Sequence, residues 1–207
     1  MGDIKQKGAI LILSGPSGAG KSSLYKALAK EFPNHYFSIS STTREKREGE
    51  INGVHYHFIS QEEFKQGIEA GNFLEWAKVH GNYYGTSKKE VLEALSQDKL
   101  VVFDVDVQGQ ENIIKTFGKI ATSVFVTTKD KKTLQDRLIA RGSDTYEVIE
   151  KRLENAFFEM EKIQKFDYLI INEDLETATK ELLSIVRVAF CKSGLYDLKN
   201  LLQKWNS

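Results

Sequence analysis

The chain has 207 residues, 41% of them hydrophobic, enough to fill the core of one α/β domain without help from disulfides. Lys plus Arg and Asp plus Glu each number 29, so no global field draws the protein to nucleic acid or to a membrane surface, and any phosphate binding must come from a local cluster. The single cysteine, Cys191, has no Cys or His neighbours at metal-ligand spacing and reads as a buried spectator thiol; with no apolar run near the roughly 18 residues of a membrane span, a reducing cytoplasm is expected.

The first predicted strand is the apolar run Ala9 to Ser14. Gly15-Pro16-Ser17-Gly18-Ala19-Gly20-Lys21-Ser22 follows it, and a helix is predicted over Lys21 to Glu31. This fills every fixed position of the pattern Gly, any four residues, Gly-Lys-Ser/Thr, in its proper strand-to-helix context. Backbone amides of such a loop, together with Ser23 and the positive end of the helix, can cradle nucleotide phosphates. Lys21 would reach the terminal phosphates, and the Ser22 hydroxyl would ligate Mg²⁺. A glycine-rich turn with a purely connecting role is the alternative.

Tyr36 to Ile39 reads as a further core strand, and the pattern then changes between residues 40 and 86. Ser40 to Glu50 carries Arg44 and Arg47 in a hydroxyl-rich loop. Their planar forks suit a phosphate, although a solvated charged loop explains the same residues. Strands are predicted at His55 to Ile59 and Phe73 to Val79, with a helix between them opened by Ser60 and Glu63 at capping-box spacing, and a turn at Gly81 to Gly85. The segment reads as an inserted, partly antiparallel lobe facing the sheet. His55 and His57 would share a strand face and line the lobe.

A helix over Ser87 to Ser96 leads to the strand Leu100 to Asp104, whose terminal carboxylate suits the magnesium shell of a phosphate site, if need be through a water. Asp106 faces the same way if the strand continues. Either aspartate could instead hydrogen-bond a loop. Beyond the strand Thr122 to Thr127, Arg137 and Arg141 fall on one face of a helix over Lys131 to Arg141. Gly142-Ser143-Asp144 breaks that helix before a second one, Tyr146 to Ile163, which carries Arg152. Salt bridges to Asp136, Glu147 or Glu150 are the plainer use of these arginines, and surface solvation is the better reading of Lys131, Lys132 and Lys151. The strand Tyr168 to Asn172, a helix over Leu175 to Cys191 and an extension over 193–207 with a short helix complete the chain. Asn172 is a candidate base contact, set against a helix-capping role for its loop. Such alternation of strands and helices predicts a P-loop NTPase fold, a parallel core sheet flanked by helices and buried on both faces.

Arg44, Arg47, Tyr56, Glu75, Tyr84 and Thr86, read together, resemble the GMP-binding lobe of guanylate kinases. Ser-Thr-Thr-Arg, Gly-Glu-Ile-Asn-Gly-Val-His-Tyr-His-Phe, Phe-Leu-Glu-Trp-Ala, Gly-Asn-Tyr-Tyr-Gly-Thr and Asp-Val-Asp-Val-Gln-Gly carry the likeness, over roughly residues 8 to 190. The resemblance implies one domain with its core at about 8–39, 87–130 and 164–192, a GMP-binding lobe at 40–86 and a helical lid at 131–163. It implies that Arg44, Arg47, Tyr56 and Tyr84 hold the GMP phosphate, while Ser40, Glu75 and Thr86 address guanine, with Asp104 and Asp106 nearby. It also implies that Arg137, Arg141 and Arg152 close over ATP with Lys21, and that Asn172 meets adenine. Guanine offers adjacent N1–H and N2–H₂ donors, for which a carboxylate such as Glu75 is the natural acceptor. The expected reaction is Mg²⁺-dependent transfer from ATP to GMP, with no nucleic-acid or membrane partner and the oligomeric state open. A scaffold-type binding module would tend to lose the loop and lid cations, all of which are present; a kinase for a sugar phosphate is disfavoured by Glu75 and Thr86.

Overall fold

The computed structural model describes residues 7–79, 81–142 and 144–206. Ser143, expected in the break between the lid helices, lies outside the described residues. Its core is a five-stranded parallel sheet built from β1 (Ile10–Ser14), β2 (His35–Phe37), β7 (Leu100–Asp104), β8 (Ala121–Thr127) and β9 (Tyr168–Ile171), in the order β2-β7-β1-β8-β9. A second sheet in the order β4-β3-β6-β5 combines β3 (Ser41–Thr42), β4 (His57–Phe58), β5 (Phe73–Val79) and β6 (Asn82–Ser87), with β3–β4 parallel and the other pairs antiparallel.

Alternation along β1 divides the core. Leu11 and Leu13 pack with Leu24 and Leu28 of α1 (Lys21–Glu31) and with Leu182 and Val186 of α7 (Leu175–Ala189). Ile10 and Ile12 face the other way, joining Val91 and Leu95 of α3 (Lys88–Ser96) and Ile113 of α4 (Val107–Phe117). Each fully buried aliphatic side chain contributes about 1.5–3 kcal/mol, so the central strand is pinned from both faces and the loop at its end has a rigid base. A third cluster, Leu134, Leu138, Ile149, Leu153 and Ala156, welds α5 (Lys131–Ala140) to α6 (Tyr146–Met160). The remaining helices are α2 (Gln61–Glu69), opened by the expected Ser60–Glu63 capping box, and α8 (Leu198–Trp205) in the C-terminal extension.

Several expectations are corrected. Residues 81–85, read as a turn, lie largely in β6, because their aromatic and hydroxyl side chains fit a strand paired with β5. The strand ending at Asp104 does not continue to Asp106, which instead caps α4 by accepting from the Gly109 amide at 2.8 Å. Helix α4 itself was not expected. Burial on both faces fails at β9: Tyr168, Leu169 and Ile171 are exposed and only Ile170 is buried, since this is an edge strand. Cys191 is exposed, not buried, because α7 ends at Ala189 and turns it to the surface. His55 and His57 do not share a strand; the His55 ring accepts from the Ile51 amide at 3.0 Å, closing a loop ahead of β4. Among the described residues no helix is long and apolar enough to cross a membrane.

Candidate active site

The loop between β1 and α1 depends on two glycines with positive φ. Gly15, at φ 128°, approaches the Val126 carbonyl so closely that a Cβ would stand 2.0 Å from its oxygen. Gly20, at φ 100°, leaves no room for a Cβ beside the Asn172 amide. The buried Asn172 side chain donates to the Ala19 carbonyl at 2.8 Å, and the Asn172 main-chain carbonyl accepts from the Arg137 guanidinium at 2.7 Å. Asn172 therefore braces the loop, while capping of α7 falls to Asp174. Lys21 Nζ donates to the carbonyls of Gly15 (2.6 Å) and Pro16 (3.3 Å) and lies 3.9 Å from Asp104.

A cavity of about 630 Å³ opens over this loop, lined by Gly15, Ser17, Gly18, Gly20, Lys21, Ser22 and Ser23, and by Asp104, Asp106, Arg137 and Arg141. Arg152 reaches down from α6, donating to the Ser17 hydroxyl and pairing with Asp144 at 3.3 Å. The ion pair here thus uses Asp144, not Glu147 or Glu150. Pro16 faces away, lining an apolar groove beneath α6. The Asp104 side chain keeps 28% of its surface exposed, yet desolvation in the cleft raises its pKa, with Lys21 pulling the other way.

A second cavity, of about 310 Å³, lies between the two sheets and shares Asp104, Val105 and Asp106 with the first. Ser40, Tyr56, Glu75 and Tyr84 line it. Glu75 and Thr86 are cross-strand partners on β5 and β6, and the fully buried Thr86 hydroxyl donates to the Glu75 carboxylate at 2.7 Å. Desolvation raises the pKa of Glu75, and the Thr86 bond opposes that shift. Burial also raises the Tyr56 hydroxyl.

Arg44 stands at the rim. Its guanidinium engages Glu50 at 2.7 and 3.0 Å and sits 5.5 Å from the centre of the Tyr56 ring. That fork, with the Arg47 amide donating at 2.7 Å, holds the Glu50 carboxyl down at about 2. The Arg47 side chain is exposed on the loop and outside the lining of the cavity. Hydroxyls of this segment also build the lobe: Thr42 donates to the Tyr83 carbonyl and Thr43 accepts from the Tyr83 amide.

A family model described as guanylate kinase matches residues 7–189. The chain belongs to the guanylate kinase family. A guanylate kinase of Wolinella succinogenes is 56% identical over 203 residues, covering 98% of this chain and 94% of that protein. One from Helicobacter pylori is 52% identical over 198 residues, covering 96% of each. A crystal structure of guanylate kinase from Anaplasma phagocytophilum aligns with a TM-score of 0.77 at 29% identity, over 97% of this chain and 96% of that one. The parallel sheet flanked by helices, with a separate mixed sheet, is consistent with the P-loop guanylate kinase fold.

Several lining residues have no role in the sequence reading, although Gln108 and Gly109 fall within the Asp-Val-Asp-Val-Gln-Gly stretch. Gln108, Gly109 and Asn112 line the second cavity from the first turns of α4, and Glu159 lines the first from α6. The α4 residues could have been found from Asp106 as an N-cap before Val107, with Ile113, Ile114 and Phe117 at helical spacing. Nothing in the sequence around Glu159 sets it apart from its acidic neighbours on the helix.

Proposed function

We propose that the chain transfers the γ-phosphoryl group of ATP to GMP, giving ADP and GDP. The observation that carries this reading is the junction: a phosphate-loop cavity and a cavity ending in the Glu75–Thr86 pair meet at Asp104 and Asp106. Two polyanions placed in these cavities would bring donor and acceptor together at that point, which is the main requirement of phosphoryl transfer.

In this reading the loop amides from Gly15 to Ser23 cradle the donor phosphates, and Lys21 turns from the Gly15 and Pro16 carbonyls to the transferring group. Arg137, Arg141 and Arg152 stabilise charge spreading over its oxygens, which needs no proton transfer. A contact of Asn172 with the adenine base would require its buried side chain to leave the Ala19 carbonyl. On the acceptor side Arg44, Arg47, Tyr56 and Tyr84 hold the GMP phosphate, while Ser40, Glu75 and Thr86 read guanine. Adenine would turn an N1 lone pair toward the Glu75 carboxylate, so AMP is rejected by an unpaired, repelling contact.

The Ser22 hydroxyl and the Asp104 carboxylate are hard oxygen donors opening on the donor cavity, a set that fits magnesium, with Asp104 acting through water. When bound, the ion neutralises charge on the donor phosphates. We assign the reaction to the cytoplasm. A coupled assay of ADP release with GMP, AMP, UMP and CMP as acceptors tests the proposal. GMP alone should support rapid turnover; comparable rates with AMP would overturn the role given to Glu75.

A further inference from the structure

Glu159 occupies the penultimate position of α6 and lines the donor cavity opposite Lys21 and Asp106. Its Oε2 atom is buried and has no hydrogen-bond partner among the described residues. Of the cations around it, Arg141 is exposed at the C-terminal end of α5 and the other three are engaged elsewhere. Lys21 is held by two loop carbonyls, Arg137 by the carbonyls of Ala19 and Asn172, and Arg152 by Ser17 and Asp144. A buried acceptor oxygen costs free energy while its lone pairs are unmet. Facing bare phosphates it would add repulsion, so its placement makes sense only with a hydrogen-bond donor or a cation between it and the polyphosphate.

Among the described residues no group of three His, Cys, Asp or Glu side chains is placed to hold a metal ion, so a magnesium ion bound here would keep much of its water shell. Magnesium dehydrates reluctantly and keeps several waters, whose hydrogens need acceptors. Such outer-shell acceptors orient the ligands of the ion, and losing one weakens metal binding about 10- to 100-fold.

We propose that Glu159 is a positioning residue for the donor metal, accepting hydrogen bonds from the water shell of a magnesium ion held by Ser22 and the ATP phosphates. The inference rests on the magnesium reading above. Two turns earlier on the same face of α6 lies Arg152, already docked on Ser17. One rigid helix thus brings a cation to the phosphates and an acceptor to the waters of the metal. Metal binding and seating of α6 are therefore coupled.

The test compares binding of a non-hydrolysable ATP analogue, by calorimetry, with magnesium and in EDTA, for the wild type and for Glu159→Gln and Glu159→Asp. Wild type should bind more tightly with magnesium. Glu159→Gln should lose about 10- to 100-fold of that enhancement, while metal-free binding stays equal or tightens, because a negative charge has been removed from beside the phosphates. Glu159→Asp, which keeps the charge, should recover part of the enhancement. An unchanged enhancement in Glu159→Gln, or an equal loss with and without magnesium, would overturn the role of Glu159 and leave the magnesium reading intact. Absence of any enhancement in the wild type would overturn both.

Discussion

At the residue scale, Glu75 has two opposing demands. Burial raises its pKa above the ordinary 4.5, yet the guanine recognition proposed for it requires the ionised form. With the folded pKa raised, this group adds stability to the free protein as pH falls toward 4.5, and that contribution is lost as pH rises through the folded pKa. GMP binding runs the other way: the KM for GMP should rise as pH falls through that raised pKa, at a midpoint above 4.5. Glu75→Gln should flatten this limb and raise the KM by about 10- to 100-fold, the loss of a charged hydrogen-bonding pair. KM measured against pH for both proteins checks it; a wild-type midpoint at or below 4.5 would count against the assignment. Arg44 gives an independent prediction. In the free protein both of its terminal nitrogens engage the Glu50 carboxylate, which fixes the plane of the guanidinium; a phosphate must share or displace that pairing, and a lysine ammonium cannot serve two oxyanions with a planar fork. Arg44→Lys should raise the KM for GMP about tenfold or more and leave that for ATP nearly unchanged, since each charged hydrogen bond is worth roughly 1.5–3 kcal/mol. Equal effects on the two nucleotides would place Arg44 in a shared site.

At the scale of elements, what was legible in the sequence depended on whether a side chain had one job. The phosphate loop is readable because Gly15 and Gly20 hold positive φ angles that only glycine adopts readily, and β1, β7 and β8 because apolar runs between two helical layers have no other use. Helix α4 was lost because its first turn is polar: Gln108, Gly109 and Asn112 face the acceptor cavity, so the apolar stripe begins only at Ile113. Strand β6 was misread because Gly81 to Gly85 looks like turn chemistry, while Gly85 is small to admit Phe64 and Phe73, with a Cβ left 2.8 Å from the Phe64 ring. Glu159 was illegible for a different reason: only the fold brings it to the same cavity as a loop far away in the chain. The caps, by contrast, are local and give a local prediction. Asp174 accepts from the amide and hydroxyl of Thr177, both at 2.8 Å, at the start of α7, which covers one face of the core sheet. Asp174→Ala should cost about 1 kcal/mol, seen as a lower urea midpoint with an unchanged slope. A loss beyond about 2 kcal/mol would mean that the side chain does more than cap the helix.

For the whole molecule the question is how an open cleft keeps water from a reactive phosphoryl group. Two pieces flank the junction at Asp104 and Asp106. One is the mixed sheet, joined across β3 and β6 by the hydroxyls of Thr42 and Thr43, with Phe64 of α2 stacked on Phe73 and Tyr83; the other is the pair α5 and α6, welded by Leu134, Leu138, Ile149 and Leu153. Each has its own apolar cluster or hydrogen-bond network, so each can turn as a unit without breaking its packing. The helix pair is already latched at its base, where Arg137 holds Asn172 and Arg152 holds Ser17, and the greater travel is expected from the mixed sheet. Its hinges should lie where β2 leads into β3 and where β6 runs into α3, with a smaller adjustment beside Gly142, at φ 66°. Closure would bring Arg44 and Glu75 with their bound nucleotide toward the phosphate loop, excluding water as the cationic cage is completed. Replacing exposed Cys191 by Ser and placing labels at exposed Glu62 of α2 and Lys151 of α6 gives a distance across the cleft. That distance should shorten when GMP and a non-hydrolysable ATP analogue are both bound, and shorten less with either alone, on the microsecond to millisecond timescale usual for such lids. A distance unchanged at saturation with both ligands would mean that the cleft works open, and water would then have to be excluded by the nucleotides themselves.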